Sequence, residues 1–215
     1  ARVPKNPDGS DFYPDGVFHK MRLSSKSHWD IPDMAGGQKV HMICSQPTPP
    51  VIEGPEDRNG SRTRDQKRLI ADYVTGKADY LYDDNGVSGG LKAAARFVIV
   101  GDLNADPVDG DSLSDAAKLL TECAAINNTS VPQSKGAVAA AASGNKNQEQ
   151  TGDPAFDTGD FNDESTGNLR IDYCLPSANL KIIESGVFWP AREEDGFDLN
   201  QASDHHMVWV DVKME

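Results

Sequence analysis

Val98-Ile-Val-Gly-Asp-Leu-Asn104, Arg170-Ile-Asp-Tyr173 and Ser203-Asp-His-His206 each join an acidic or imidazole side chain to a run of β-forming residues. Side chains two apart on an extended backbone point the same way, so Asp102 and Asn104 should emerge together where a strand over residues 97–100 ends. An anionic oxygen beside a neutral amide suits a hard divalent cation or a phosphoryl oxygen, and Gly101 permits close approach. A plain turn is the other reading, since Asp, Asn and Pro107 all favour turns. Asp204 and His205 stand directly before Met207-Val-Trp-Val210. A carboxylate and an imidazole at a strand entrance can divide the labour, one as oxygen ligand and the other as general acid or base. Asp172 lies inside the strand-like stretch 169–175, and an acid buried there needs a partner. The imidazole of His205 is one, and the acid would then fix its tautomer; an ion pair with Arg170 or a cap is the other reading.

These groups need a sheet to hold them. Residues 39–44 read as a strand stopped by Gln46-Pro-Thr-Pro-Pro50, because prolines cannot donate to a ladder. Residues 64–75 read as a helix with Leu69, Ile70, Tyr73 and Val74 on one stripe and Gly76 at its end. Residues 96–101 form a continuous apolar strand of the kind buried on both faces. Ser112 or Ser114 would cap a helix running to about residue 125. Residues 127–168 form a long polar insertion, with a short helix in its alanine-rich part. Strands over 169–176, 180–188 and 207–213 close the chain. The alternation indicates a layered α/β domain with mixed sheets, a single domain over residues 1–215, with 1–27 an irregular N-terminal arm.

The 34 acidic and 21 basic side chains leave a formal charge of −13, which repels polyphosphates over long range. Nucleic acid is therefore disfavoured as a partner and a small phosphoester favoured, with local Lys or Arg and a metal able to override the mean field. Cys44, Cys123 and Cys174 show no zinc or disulfide spacing and are expected to be buried thiols. No apolar stretch approaches the length of a membrane span. The opening residues do not read as a signal peptide.

Gly101-Asp-Leu-Asn-Ala-Asp-Pro107, Arg170-Ile-Asp-Tyr173 and Ser203-Asp-His205 resemble, in order, the later motifs of the DNase-I-like endonuclease/exonuclease/phosphatase superfamily. Residues 24–30, 47–50, 54–60 and 152–157 resemble a bacterial subgroup of it. The resemblance implies a four-layer sandwich of two packed mixed β-sheets with helices outside and the active site at one end. It also implies metal-dependent phosphoester hydrolysis, by a phosphatase, phosphodiesterase or nuclease, using Mg²⁺ or else Mn²⁺ or Ca²⁺. Asp102 and Asn104 would position the attacking water and contact phosphate or metal, Asp204 would serve the metal, His205 would face the phosphate and Asp172 would be its partner. Two departures stand out. The subgroup carries a histidine where this chain has Gln46, and an amide cannot shuttle a proton. His41 would face the opposite side of the strand. The superfamily's first half supplies a strand Asn and a metal-binding Glu, for which nothing before Lys39 qualifies, so the chain resembles the C-terminal part of the domain. A fold incomplete at its N-terminus would expose sheet edges and self-associate, and a degenerate domain that binds phosphate ligands without turnover is the alternative function. The acidic composition and the subgroup's character suggest an extracellular or periplasmic location.

On the substrate side, Lys26, His28 and Trp29 gather a cation, an imidazole and an indole that suit a functional loop. Arg58 beside Asn59, with Arg62 and Arg64, could grip a phosphate, unless Glu53, Glu56, Asp57 and Asp65 take them into ion pairs. The aspartates over 106–115 and 153–163 read as solvated acidic loops, the second placed as a lid.

Overall fold

The computed structural model of the chain describes residues 1–214. Strands β1 (Ser27–Ala35) and β2 (Gln38–Gln46) form an antiparallel hairpin, so the segment read as a loop around His28 is a strand. The turn between them is Gly36-Gly37, both at positive φ, the backbone that a two-residue hairpin turn requires. Pro32 is accommodated because β1 is an edge strand. Helix α1 (Arg58–Val74) begins six residues before the predicted start. Glu53 makes that possible by accepting from the backbone N–H groups of Asn59 and Gly60, two of the unpaired donors of the first turn.

After α1, strand β3 (Arg96–Asp102) runs parallel to β2, and β6 (Asp172–Pro176) runs antiparallel to β3. The main sheet is therefore mixed, in the order β1-β2-β3-β6. Its α1 face is apolar: Ile43, Phe97, Ile99, Tyr173 and Leu175 bury against Ile70 and Val74, with Leu103, Leu120 and Ile126 closing the cluster. Each such side chain contributes about 1.5–3 kcal/mol by leaving water. The expectation that β3 is buried on both faces is corrected, since Phe97 and Ile99 are buried while Val98 and Val100 are half-buried.

The helix predicted up to residue 125 is only a short α2 (Lys118–Thr121), because neither Ser112 nor Ser114 caps it and the preceding residues form turns. Helix α3 (Lys135–Ala141) is the alanine-rich helix foreseen, capped by the Ser134 hydroxyl, which accepts from Ala137 N–H. The insertion folds back through a small ladder of β4 (Gly159–Asp160) and β5 (Asn168–Leu169). Strands β7 (Lys181–Phe188) and β8 (Met207–Lys213) form a second antiparallel sheet, with β8 lying along β6. Trp189, Val187 and Ala137 form its buried cluster. All three cysteines are free and half-buried rather than fully buried. No helix among the described residues is long and apolar enough to cross a membrane.

Candidate active site

Sheet register brings the first two acids together, because Asp102 on β3 and Asp172 on β6 are Cα partners in the antiparallel ladder. Gly101 makes this end of β3 possible. It sits at φ +138°, and a Cβ there would lie 2.1 Å from the Ser45 carbonyl oxygen of β2. After Asp102 the chain leaves the strand through a turn in which Asn104 adopts the left-handed φ of +51°. Asp102 closes the turn, accepting from the Asn104 backbone N–H and from Asn104 Nδ2, both at 2.9 Å. Asn104 Nδ2 also donates to the Pro47 carbonyl at 3.1 Å. Both amide hydrogens are thus spent, and among the described residues Asn104 Oδ1 accepts nothing. The turn reading of this segment is realised; Asn104 lies off the extended backbone that the paired-oxygen reading assumed and meets Asp102 with its amide nitrogen.

His205 reaches this pair from the opposite side. A bridge between Gly159 and His205 and a hydrogen bond from Asp160 N–H to the Asp204 carbonyl seat it beside β4. Its Nδ1 lies 3.0 and 3.1 Å from the two oxygens of Asp172, and the edge of its ring meets Phe161, with centroids 5.8 Å apart. Nε2 is the nitrogen left over. Burial pulls the imidazole pKa down, but the charges of Asp172, Asp102 and Asp204 together carry it above its ordinary value. Burial raises the Asp172 carboxyl pKa, against the pull of His205 and Thr158. Arg170 is not the partner of Asp172, for its guanidinium lies over the Tyr173 ring at 4.8 Å.

Three groups that complete the arrangement carried little signal in the sequence. Thr158, 1% exposed in the insertion, accepts from the N–H groups of Ile171 and Asp172 and donates to Asp172 Oδ2 at 3.0 Å. Asp106, expected in a solvated loop, is buried and accepts from the backbone of Val108, Asp109 and Arg170, which pins the turn after Asn104 to the start of β6. Lys67 on α1 is fully buried and donates to the Leu103 carbonyl; burial lowers its pKa to about 7 while Asp102 opposes the shift. Its place on the stripe with Thr63, Ile70 and Val74 was the available clue.

A cleft of about 560 Å³ opens over these groups, lined by Asp102, Asn104, His205, Gln46, Lys26 and Phe161, with Pro49, Pro50 and Val51 as an apolar wall. Another cavity of about 620 Å³, beside Trp189 and Lys135, holds no histidine and none of the paired carboxylates. Of the residues expected to bind substrate, Gln46 and Lys26 line the cleft and three do not. His28 is half-buried against the Tyr73 ring, with centroids 5.9 Å apart, and burial lowers its pKa. Arg58 pairs with Glu56 and donates to the Ile52 carbonyl. Asn59 donates to the Val51 carbonyl at 2.8 Å. Arg64 is held by Asp115, and Arg62 by the carbonyls of Leu23 and Arg22, so the arginine group braces the start of α1. His41 faces away from Gln46 as expected and pairs with Asp30, which also accepts from Tyr73 Oη at 2.6 Å. Asp157, placed in the second acidic loop, is buried, and burial with the charges of Asp106, Asp109 and Asp153 raises its pKa to about 8.

The metal expectation meets a specific donor set. Among the described residues no group of three or more His, Cys, Asp or Glu is placed to hold an ion. Asp204 is exposed and absent from the cleft lining, acting on His205 by its charge. At the end of β3 the cleft offers one carboxylate, Asp102, and one amide oxygen with no partner among the described residues, Asn104 Oδ1; of the other acids in the lining, Asp106 and Asp109 are engaged by backbone N–H groups. That set does not make a calcium cage of six to eight oxygens, but it fits Mg²⁺ or Mn²⁺, since Mg²⁺ is ordinarily held by one or two carboxylates plus water and phosphate oxygens.

The model of the Endonuclease/Exonuclease/phosphatase family matches residues 6–205. No curated protein sequence matches the chain. Among solved structures, an endonuclease/exonuclease/phosphatase from Beutenbergia cavernae DSM 12333 is 17% identical with a TM-score of 0.50, over 86% of this chain and 38% of that one. An endonuclease/exonuclease/phosphatase family protein from Leptotrichia buccalis C-1013-b is 16% identical with a TM-score of 0.47, over 86% and 52%. A mutant beta toxin from Staphylococcus aureus with bound magnesium ions is 13% identical with a TM-score of 0.44, over 85% and 56%. The chain thus spans well under two thirds of the length of each of these proteins. With the mixed α/β sheets of the DNase-I-like fold and a family match running from residue 6 to residue 205, the chain belongs to the endonuclease/exonuclease/phosphatase family.

Proposed function

We propose that the cleft hydrolyses a phosphoester bond in a small substrate. The observation that carries this reading is the His205 imidazole, held at Nδ1 by Asp172 and left with Nε2 unpaired among the described residues, in a cleft shared with Asp102 and Asn104. The charges of Asp172, Asp102 and Asp204 raise the His205 pKa against burial and so favour the imidazolium, which meets phosphate as a charged donor and can hand Nε2–H to an oxygen that gains charge. Asp172 fixes the tautomer and Thr158 fixes Asp172. Asn104 has spent its donors, so its free oxygen accepts a hydrogen bond from the attacking water or binds a cation, instead of donating to the phosphoryl group. Asp102 orients that amide. Bound Mg²⁺ or Mn²⁺ would supply the Lewis acidity that neutralises phosphoryl charge, with Asp102 and Asn104 Oδ1 as the residues that hold it. Gln46 adds a neutral contact at the cleft wall. Lys26 shares the lining with Asp102, Asp106, Asp109 and Asp111, a balance that favours a single phosphate over a polynucleotide.

The test is release of nitrophenol from nitrophenyl phosphate mono- and diesters in Mg²⁺, with EDTA and His205→Ala as controls. Turnover lost in both controls is the expected result, and a metal-saturated protein that releases nothing overturns the reading. A second reading, phosphate-ligand binding without turnover, is favoured by Gln46 in the cleft and by the sparse donor set. It predicts saturable binding of inorganic phosphate by calorimetry in a protein that stays inert.

A further inference from the structure

Lys67 is the largest side chain buried with no exposure at all. It stands three residues before Ile70 and seven before Val74 on the stripe of α1 that packs against the sheet, where an apolar side chain would serve packing better. Among the described residues it enters no ion pair, and its ammonium donates to the carbonyl of Leu103. Leu103 is the middle residue of the turn that carries the site, 1% exposed, and its N–H donates to the Ile171 carbonyl at 2.8 Å. The Leu103 main chain is thus gripped on both polar sides, one by Ile171 just ahead of β6 and one by α1, while the next residue holds a left-handed backbone at φ +51°. Such a conformation persists only where its surroundings impose it. Asp102 is the carboxylate whose charge acts on Lys67.

The structure assigns Lys67 the role of a positioning residue: from the packed face of α1 it holds the Asp102-Leu103-Asn104 turn by its central carbonyl. Its kinetic consequence rests on the hydrolase reading above, whereas its structural consequence does not. Lys67→Met keeps an unbranched side chain, one atom shorter, and removes both donor and charge at a site already lined by apolar groups. The expected result is a fall in kcat of about tenfold to a hundredfold from displacement of the turn. KM should stay within about twofold, since the substrate wall is untouched. The backbone and side-chain amide resonances of Asn104 should shift in ¹H–¹⁵N spectra while the melting temperature holds. Lys67→Arg, which restores donor and charge, should recover part of the lost kcat. Unchanged kcat with unmoved Asn104 resonances in Lys67→Met overturns the assignment, as does an arginine variant no better than the methionine one. Where Lys67→Met fails to fold, Lys67→Gln replaces it with the same pair of readouts and the same refuting result. If the wild-type protein shows no turnover, the hydrolase reading falls, and the Asn104 resonances alone decide the role of Lys67.

Discussion

Asp172→Asn separates the work of the carboxylate from its place in the fold. Thr158 Oγ1 accepts from the N–H groups of Ile171 and Asp172, so its own hydrogen goes to Oδ2 of residue 172, 3.0 Å away. In the variant the amide oxygen must take that position to keep the bond, which sets the NH₂ group at the Oδ1 position, 3.1 Å from His205 Nδ1. A protonated Nδ1 then keeps only a neutral oxygen at the Oδ2 position, 3.0 Å away and shared with Thr158, meets a donor beside it, and no longer faces a charge. A hydrogen bond to a charged group contributes about 1.5–3 kcal/mol. The His205 side chain is 37% exposed, so water screens part of the attraction and the lower half of that range applies. The result is about a ten- to fiftyfold loss of kcat. The sign of the pH effect follows from the same contact. Asp172 raises the His205 pKa against burial, so removing its charge lowers that pKa, and the alkaline limb of the kcat profile, where the imidazolium is lost, moves to lower pH. Stability should not fall, because burial disfavours the ionised carboxylate and a neutral amide removes that cost. Steady-state kinetics across pH, paired with thermal melting, read both arms. Unchanged kcat, an unmoved alkaline limb, or activity lost only in proportion to unfolding would refute the reasoning.

The other predictions concern the frame around the site. His206, stacked on Trp189 at 3.8 Å, is kept neutral by burial with a pKa of about 4. Between pH about 6.5 and about 4 the unfolded chain binds the extra proton, so wild type should lose urea resistance on acidification relative to His206→Phe, and parallel curves would contradict this. Asp157, with a pKa raised to about 8, has the opposite sign: the folded form holds the proton, so its contribution to stability falls as pH rises from about 4 to about 8. Asp157→Asn should therefore gain in melting temperature over wild type progressively across that window and then level off. Gly101→Ala sets a methyl group 2.1 Å from the Ser45 carbonyl oxygen, and a loss of ~3 kcal/mol or more is expected by urea titration. Arg58→Ala should leave kcat/KM within about twofold, because its contacts lie outside the cleft.

The parts legible in the sequence were those where an acid or an imidazole stands at or beside one end of an apolar run. Strands β3, β6 and β8 could be placed from such runs, and the pairing of Asp172 with His205 followed from asking where a buried acid finds a partner. Strand β1 was hidden because Pro32 and its charged neighbours break the alternation, and only the Gly36-Gly37 pair announced a hairpin. Arg58 and Asn59 looked like phosphate ligands because sequence cannot show that backbone carbonyls of residues 51 and 52 already occupy them. Thr158 sits in a stretch without period, and its importance arises from three contacts fixed only by tertiary structure. Lys67 violates the pattern of its own helix, a conflict that local rules treat as noise and that the fold resolves at the Leu103 carbonyl.

The pairing of Asp102 with Asp172 across β3 and β6 ties chemistry to alignment of the two strands. Sliding one past the other by a single position would turn every side chain of that strand to the opposite face and separate the carboxylates, while the amount of extended backbone would hardly change. Under the proposed hydrolase reading, turnover is a gauge of correct strand alignment, and it should disappear in misaligned molecules that circular dichroism still counts as folded.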